Sequence, residues 1–208
     1  MTATPAILVL CTANVCRSVY AAHLLRSLLD PQLVTVQSAG LEVTRRLPAC
    51  PLVAERASLG APRPEHRSHH VSVEEIRSSA LILTMTAAHR GEVARLVPAA
   101  RRVTFTLIEA ATIAPAISHC SSLAGLAGEM DDSRSRVPMP PGPRPLLPWV
   151  QTSGSPAAVD IADGHLARRE SEHVRTLNQI ERLAEVLADP VRMAVSSGTS
   201  PNERWRNP

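Results

Sequence analysis

Four short runs of apolar and β-branched residues mark the first half of the chain, and helical patterns fall between them. Ala6–Leu10 (AILVL) is continuously apolar, as a strand covered on both faces must be. Val34–Ser38 (VTVQS), Ala80–Thr84 (ALILT) and Arg102–Thr106 (RVTFT) read as three more strands. Arg17–Leu29 is rich in Ala and Leu and stops before Asp30-Pro31, where proline cannot continue a helix. Ala49–Leu59 follows Pro48 and ends at Gly60, and Ala87–Leu96 ends before Pro98. Alternation of this kind predicts a parallel sheet with helices on both faces, a three-layer α/β sandwich.

The second half is less regular. Met130–Ala158 contains MPPGPRPLLP and SGSP and reads as an irregular, proline-rich insertion outside the core. Beyond it, Val174, Leu177, Ile180, Ala184 and Leu187 repeat at spacings of three and four, so Arg168–Leu187 reads as a long amphipathic helix closed by Asp189-Pro190. The expected organisation is one domain over residues 1–190, with the insertion at about 130–158, and a polar, disordered tail over 191–208.

Composition narrows the function classes. Aromatic residues are 2% of the chain, too few for base-stacking platforms, and the net charge of +3 comes from scattered arginines. Nucleic acid is not the expected partner. No apolar run approaches the roughly 20 residues a membrane span needs, and Ala6–Leu10 lacks the length and basic flank of a signal peptide. The cysteines, Cys11, Cys16, Cys50 and Cys120, do not form a secreted disulfide framework, so the chain is expected to be cytoplasmic with reduced thiols. Cys50 and Cys120 have no partner at metal-ligand spacing and read as structural or incidental. The histidines His69, His70, His89, His119, His165 and His173 are scattered, so no metal is expected. Neither G-x-x-x-x-G-K nor G-x-G-x-x-G is present, which leaves the common nucleotide-binding routes unsupported.

The chemistry is concentrated where the first apolar run meets the first helix: Cys11-Thr12-Ala13-Asn14-Val15-Cys16-Arg17-Ser18. A loop between a strand's carboxyl end and a helix's amino end offers unpaired backbone N–H groups and the positive end of the helix dipole. A cysteine placed there is a good thiolate nucleophile. An arginine at the loop's far end can grip two oxygens of one tetrahedral anion. The five residues between Cys11 and Arg17 are enough for the loop to curl around it. On spacing alone, a buried cysteine and a surface arginine explain the pattern equally well; the strand–loop–helix setting favours the anion site.

This segment resembles the low-molecular-weight protein tyrosine phosphatases, whose signature is Cys-x-x-Asn-x-Cys-Arg-Ser after the first strand. The likeness extends to Ser38-Ala39-Gly40, to His66 in HRSHHVSVEE, to Leu83–His89 and to Val103–Leu107, then resumes near 160–187. It implies a four-stranded parallel sheet in the order 2-1-3-4, with the loop at a topological switch point. It also implies a cysteine-dependent phosphatase acting through a phosphocysteine, with no cofactor. Cys11 would be the nucleophile and Arg17 the phosphoryl grip. The residues from Thr12 through Ala13, Asn14, Val15 and Cys16 to Arg17 and Ser18 would form the phosphate cradle, with Ser18 easing thiolate departure. Asn14 would be braced by Ser38 and His66. The general acid would be Asp163, with Asp160 as the alternative. Cys16 is open to two readings, a resolving thiol for Cys11 or a small residue filling the loop's underside. The implied partners are a phosphorylated protein, such as a tyrosine kinase or an exopolysaccharide-assembly protein, and inorganic phosphate as product.

The chain departs from the pattern at Ala13 for Gly, Val19 for Pro, Ala22 for Glu and Gly164 for the Pro that usually follows the acid. The cleft aromatics are also missing, since His165 and Leu166 follow Gly164; these changes point to a looser acid loop and leave the preference for phosphotyrosine open. Tyr20 is unassigned, as core or rim. Two other readings are open. An arsenate reductase of similar fold would need two further thiols close together, and Cys50 and Cys120 lie in the wrong segments. A phosphate-binding regulator with little turnover would keep the loop and lose the acid.

Overall fold

In the computed structural model, which describes residues 4–57, 66–140, 158–166 and 169–197, the first apolar run becomes β1 (Ala6–Cys11), an inner strand. It pairs in parallel with β2 (Thr35–Gly40) on one side and β3 (Ser79–Thr84) on the other, and β3 pairs with the short edge strand β4 (Thr104–Thr106). The order is β2-β1-β3-β4, as expected. Ile7 to Leu10 are fully buried, and their alternation divides the core. Ile7, Val9 and Cys11 face one cluster with Leu81, Leu83 and Phe105; Leu8 and Leu10 face the other with Ala39 and Ile82.

Helices cover both faces. The larger cluster is roofed by α1 (Arg17–Leu28), α5 (Leu107–Ile113), α6 (Leu123–Ser133) and α7 (Glu170–Ser197). The smaller is covered by α3 (Val73–Ser78) and α4 (Ala87–Leu96), through Ile76 and Val93. A short helix α2 (Pro51–Ala57) lies beside α1, with Arg56 over the ring of Tyr20 at 5.9 Å; Tyr20 is a core residue.

Several expectations shift. β2 extends through Ala39 and Gly40, which pair with Leu10 and Cys11. Arg102 and Val103 belong to a 3-10 turn (Pro98–Val103), leaving β4 with three residues. α5 starts immediately after β4, fixed by a capping box between Thr106 and Glu109. Met130, read as the start of the irregular insertion, is fully buried on α6, which Ser122 caps at its amino end. The proline-rich residues 141–157 lie outside the described residues.

The largest correction concerns Pro190. It does not close the last helix, which runs 28 residues to Ser197. An internal proline costs about 3 kcal/mol. Val191, Ala194 and Val195 continue the apolar stripe and are buried, and a fully buried Val-sized side chain returns about 1.5–3 kcal/mol, so continuing the helix outweighs breaking it. Residues 198–208 of the expected tail lie outside the described residues. No described helix is long and apolar enough to cross a membrane.

Candidate active site

The loop from Cys11 to Cys16 leaves the carboxyl end of β1 and enters α1 at Arg17. Its carbonyls are tied outward. Cys11 O accepts from Leu41 N at 2.9 Å, Thr12 O from Glu42 N at 2.9 Å, Val15 O from Cys50 N at 2.9 Å and Cys16 O from Tyr20 N at 2.9 Å. Asn14 O is bonded to His66 Nε2 at 2.8 Å. Carbonyls held this way are not free to face an anion, a condition an anion cradle requires.

Asn14 sets the loop's shape. Among the described residues it is the one non-glycine with positive φ, 53°, a conformation asparagine tolerates better than most. Its side chain is buried and saturated: Nδ2 donates to Ser18 Oγ and Ser38 Oγ, both at 3.1 Å, and Oδ1 accepts from His69 N at 3.3 Å. The structure thus brings Ser38 and His66 to Asn14, and adds the His69 amide, which no motif foretold. Burial lowers the pKa of His66, consistent with a neutral ring donating from Nε2 to the Asn14 carbonyl. Ala13 lacks positive φ, so the loop does not require glycine there. Gly40 does carry a requirement: a Cβ on it would lie 2.7 Å from Thr12 O and 3.0 Å from Asn14 N. The end of β2 is packed directly against the loop.

Cys11 Sγ lies 3.0 Å from Ser18 Oγ, both buried. Because Ser18 Oγ already accepts from Asn14, its own proton is available to the sulfur. Arg17 is almost fully buried; Nη1 donates to Ile161 O at 3.1 Å, and Nη2 donates to Asp163 Oδ2 at 2.5 Å and to Thr12 Oγ1 at 3.4 Å. Arg17 and Asp163 are therefore brought together at the end of the loop that Cys11 begins, although 146 residues separate them.

The segment carrying Asp163 is firmly held. Ile161 is fully buried and its N–H donates to Met85 O at 2.8 Å, next to the end of β3. Asp160, the alternative acid, has Oδ1 accepting from Ala87 N at 2.7 Å in the first turn of α4. Gly164, expected to loosen this loop, is buried against α7: a Cβ would lie 2.7 Å from His173 Cα and 2.9 Å from Glu172 O. Glycine here permits close approach and does not signal slack.

Two features were not foreseen. His89, in the first turn of α4, places Nε2 3.0 Å from Thr12 Oγ1, while its Nδ1 is buried without a partner among the described residues. Burial, aided by the Arg17 charge, lowers its pKa to about 4, so the ring is neutral at physiological pH. An orphaned lone pair costs less than an orphaned N–H, which puts the proton on Nε2, donating to Thr12. The second feature concerns Cys16 and Cys50. Cys50, read as structural or incidental, sits beside Cys16 and His173: Cys16 Sγ is 3.0 Å and Cys50 Sγ 3.8 Å from His173 Nε2. A hydrogen bond from the Cys16 thiol lowers the pKa of Cys50 to about 6, and raises that of Cys16, which is also buried. Cys120 lies apart, partly exposed.

Comparison with known proteins agrees with this geometry. The family model for low molecular weight phosphotyrosine protein phosphatases matches residues 6–111. The chain is 35% identical over 96 residues to the low molecular weight protein-tyrosine-phosphatase Etp of Escherichia coli strain K12, covering 46% of this chain and 64% of that one. It is 36% identical over 104 residues to the probable low molecular weight protein-tyrosine-phosphatase EpsP of Ralstonia nicotianae, covering 50% of this chain and 70% of that one. The matched segment thus spans about two thirds of the length of these curated relatives. Among solved structures, the YwlE arginine phosphatase of Geobacillus stearothermophilus superposes with a TM-score of 0.61 at 22% identity, covering 90% of this chain and 93% of that one. The tyrosine phosphatase amsI of Erwinia amylovora superposes with a TM-score of 0.58 at 21% identity, over 90% of this chain and 93% of that one. These structures share the fold.

Proposed function

The chain belongs to the low molecular weight phosphotyrosine protein phosphatase family, and from that premise we propose that it hydrolyses phosphomonoesters, with protein phosphotyrosine as the substrate class, through a phosphocysteine. The observation that carries this reading is the loop itself, with Cys11 at its start bonded to Ser18 and Arg17 at its end bonded to Asp163, its carbonyls taken up by hydrogen bonds.

Cys11 Sγ attacks phosphorus in line and the leaving oxygen departs. Arg17 and the amides from Thr12 to Arg17 hold the non-bridging oxygens, where charge is spread in the transition state. Arg17 exchanges part of its contact with Asp163 for the phosphoryl group, which leaves the carboxyl beside the leaving oxygen. Asp163 gives that oxygen its proton, and then takes a proton from the water that cleaves the S–P bond. Cys11 departs as a thiolate, stabilised by Ser18. No cofactor enters these steps, and inorganic phosphate is the product. Phosphorylated proteins such as a tyrosine kinase or an exopolysaccharide-assembly protein are the proposed partners, and the cytoplasm the proposed location.

Hydrolysis of p-nitrophenyl phosphate under reducing conditions tests this reading. Cys11→Ser is expected to abolish turnover. Asp163→Asn is expected to lower kcat by about 10²-fold or more, the usual range for a lost general acid. Full activity in Asp163→Asn, with loss in Cys11→Ser, would transfer the acid role to another carboxylate. A wild type that binds phosphate or vanadate without turnover would replace the enzyme by a phosphate-binding regulator.

A further inference from the structure

Cys16, Cys50 and His173 come from three separate segments and meet beneath the phosphate loop. Cys16 closes the loop, Cys50 precedes α2, and His173 stands in the first turn of α7. Their Sγ, Sγ and Nε2 atoms all lie within 4.8 Å of one another. Both sulfurs are buried and the imidazole is half-buried. The placement is fixed by backbone, since Cys50 N donates to Val15 O at 2.9 Å and Gly164 packs against His173 Cα.

Two sulfurs and one imidazole nitrogen are the donor set that borderline-soft divalent ions prefer. With Zn–S near 2.3 Å and Zn–N near 2.0–2.1 Å, tetrahedral donors stand roughly 3.5–3.8 Å apart. The observed Cys50–His173 separation of 3.8 Å fits this, and the Cys16–His173 separation of 3.0 Å needs only a small opening. Three protein donors leave the fourth position to water.

We propose that Cys16, Cys50 and His173 form a zinc site distinct from the phosphate cradle. Cys11 is not part of it, because its sulfur is engaged with Ser18. Cys16 serves both places without conflict: its amide belongs to the cradle and its sulfur to the metal. A bound ion ties the loop, α2 and α7 together, and so fastens the segment bearing Asp163 to the cradle.

The test uses the full chain carrying Cys11→Ser, reduced and stripped of metal, so that the catalytic thiol cannot contribute a ligand and no activity is needed. Cobalt(II) titration is expected to give a thiolate-to-cobalt charge-transfer band and the intense visible bands of a tetrahedral site. Both should saturate at one ion per chain and be displaced by zinc. Adding Cys50→Ser, or separately His173→Ala, should weaken binding by at least about 100-fold, since a zinc site's affinity is divided among so few donors. Cys120→Ser should leave it unchanged. Zinc should also raise the thermal midpoint of the Cys11→Ser chain and not that of its Cys50→Ser derivative. Absence of the charge-transfer band, or a band that survives both Cys50→Ser and His173→Ala, overturns the site. So does loss of binding in Cys120→Ser. None of these results bears on the phosphatase reading, which the nitrophenyl phosphate assay decides by itself.

Discussion

Gly164→Ala should separate the acid from the cradle. The added Cβ would stand 2.5 Å from Thr176 Oγ1, 2.7 Å from His173 Cα and 2.9 Å from Glu172 O. The threonine hydroxyl can turn away; the two backbone atoms belong to the start of α7 and cannot. Carbon contacts relax to about 3.5 Å, so the Asp163 segment or the first turn of α7 must move by about 0.8 Å from the 2.7 Å contact. Overpacking of this kind costs about 1–3 kcal/mol, and a misplacement near 1 Å costs about 10²-fold in rate. The expected result is a lower thermal midpoint and a 10- to 100-fold drop in kcat, as an estimate on the order set by that misplacement. The drop should be larger for phenyl phosphate, whose leaving oxygen depends most on being given a proton, than for p-nitrophenyl phosphate, whose more acidic leaving group depends on it less. Inhibition by inorganic phosphate should change by less than about twofold, because the cradle is untouched. Gly164→Pro should be at least as damaging, since it carries a Cβ and also loses the N–H donated to Ala162 O at 3.1 Å. Unchanged stability and kcat in Gly164→Ala would refute the packing argument. Equal losses on both substrates with weakened phosphate inhibition would place the damage in the cradle and refute the assignment to the acid.

The other expectations concern the loop and its neighbours. Asn14→Ala strands the Ser38 hydroxyl and the His69 amide and puts alanine at φ 53°; a loss of about 3 kcal/mol is expected in urea unfolding, and a loss below about 1 kcal/mol would show that the network does not hold the loop. Gly40→Ala meets the backbone at Thr12 and Asn14 and should weaken phosphate inhibition about tenfold or more. Gly91→Ala, with nothing within 4 Å of its Cβ on α4, should stabilise by about 0.5–1 kcal/mol. His89 has a folded pKa of about 4 against an ordinary 6.5, so the folded state binds fewer protons between these values. Its contribution is complete above pH 6.5 and is lost as pH falls towards 4. At about 1.36 kcal/mol per unit the ceiling is near 3 kcal/mol, and partial exposure reduces this to about 2 kcal/mol. Denaturant unfolding at pH 7.5 and 4.5 should therefore show a shallower fall for His89→Gln than for wild type, and equal falls would exclude His89 as the source.

The sheet was legible because strands buried on both faces must be apolar throughout, and Ile7–Leu10 and Leu81–Leu83 have that pattern. Strand order was not in the pattern; it came from the resemblance around Cys11–Ser18. The cradle was legible because its residues are contiguous. The placing of Asp163 beside Arg17 was legible through the same resemblance, while the reason for Gly164 was not, since it resides in the backbone of Glu172 and His173. Pro190 misled because a local rule was applied where tertiary burial of Val191, Ala194 and Val195 decides. The start of α5 carried a readable signal, Thr106-Leu107-Ile108-Glu109, hidden by the strand that overlaps it. The meeting of Cys16 with Cys50 and His173, and of Thr12 with His89, had no sequence signal, because single residues far apart in the chain leave no periodicity or spacing to read.

The length of α7, and its position last in the described chain, has a consequence for biosynthesis. The nucleophile, the cradle and all four strands are translated by Thr106, but the carboxylate that pairs with Arg17 and the helix that covers α1 come only with residues 158–197. At about 5–20 residues per second, a ribosome takes roughly 4–17 s to pass from the end of α5 to the end of α7. For the first part of that interval Arg17 is without Asp163, and until its end the apolar face over α1 is without the whole of α7. Order of synthesis thus acts as a timer: the contact between Arg17 and Asp163 and the cover over α1 form only once these last described residues emerge.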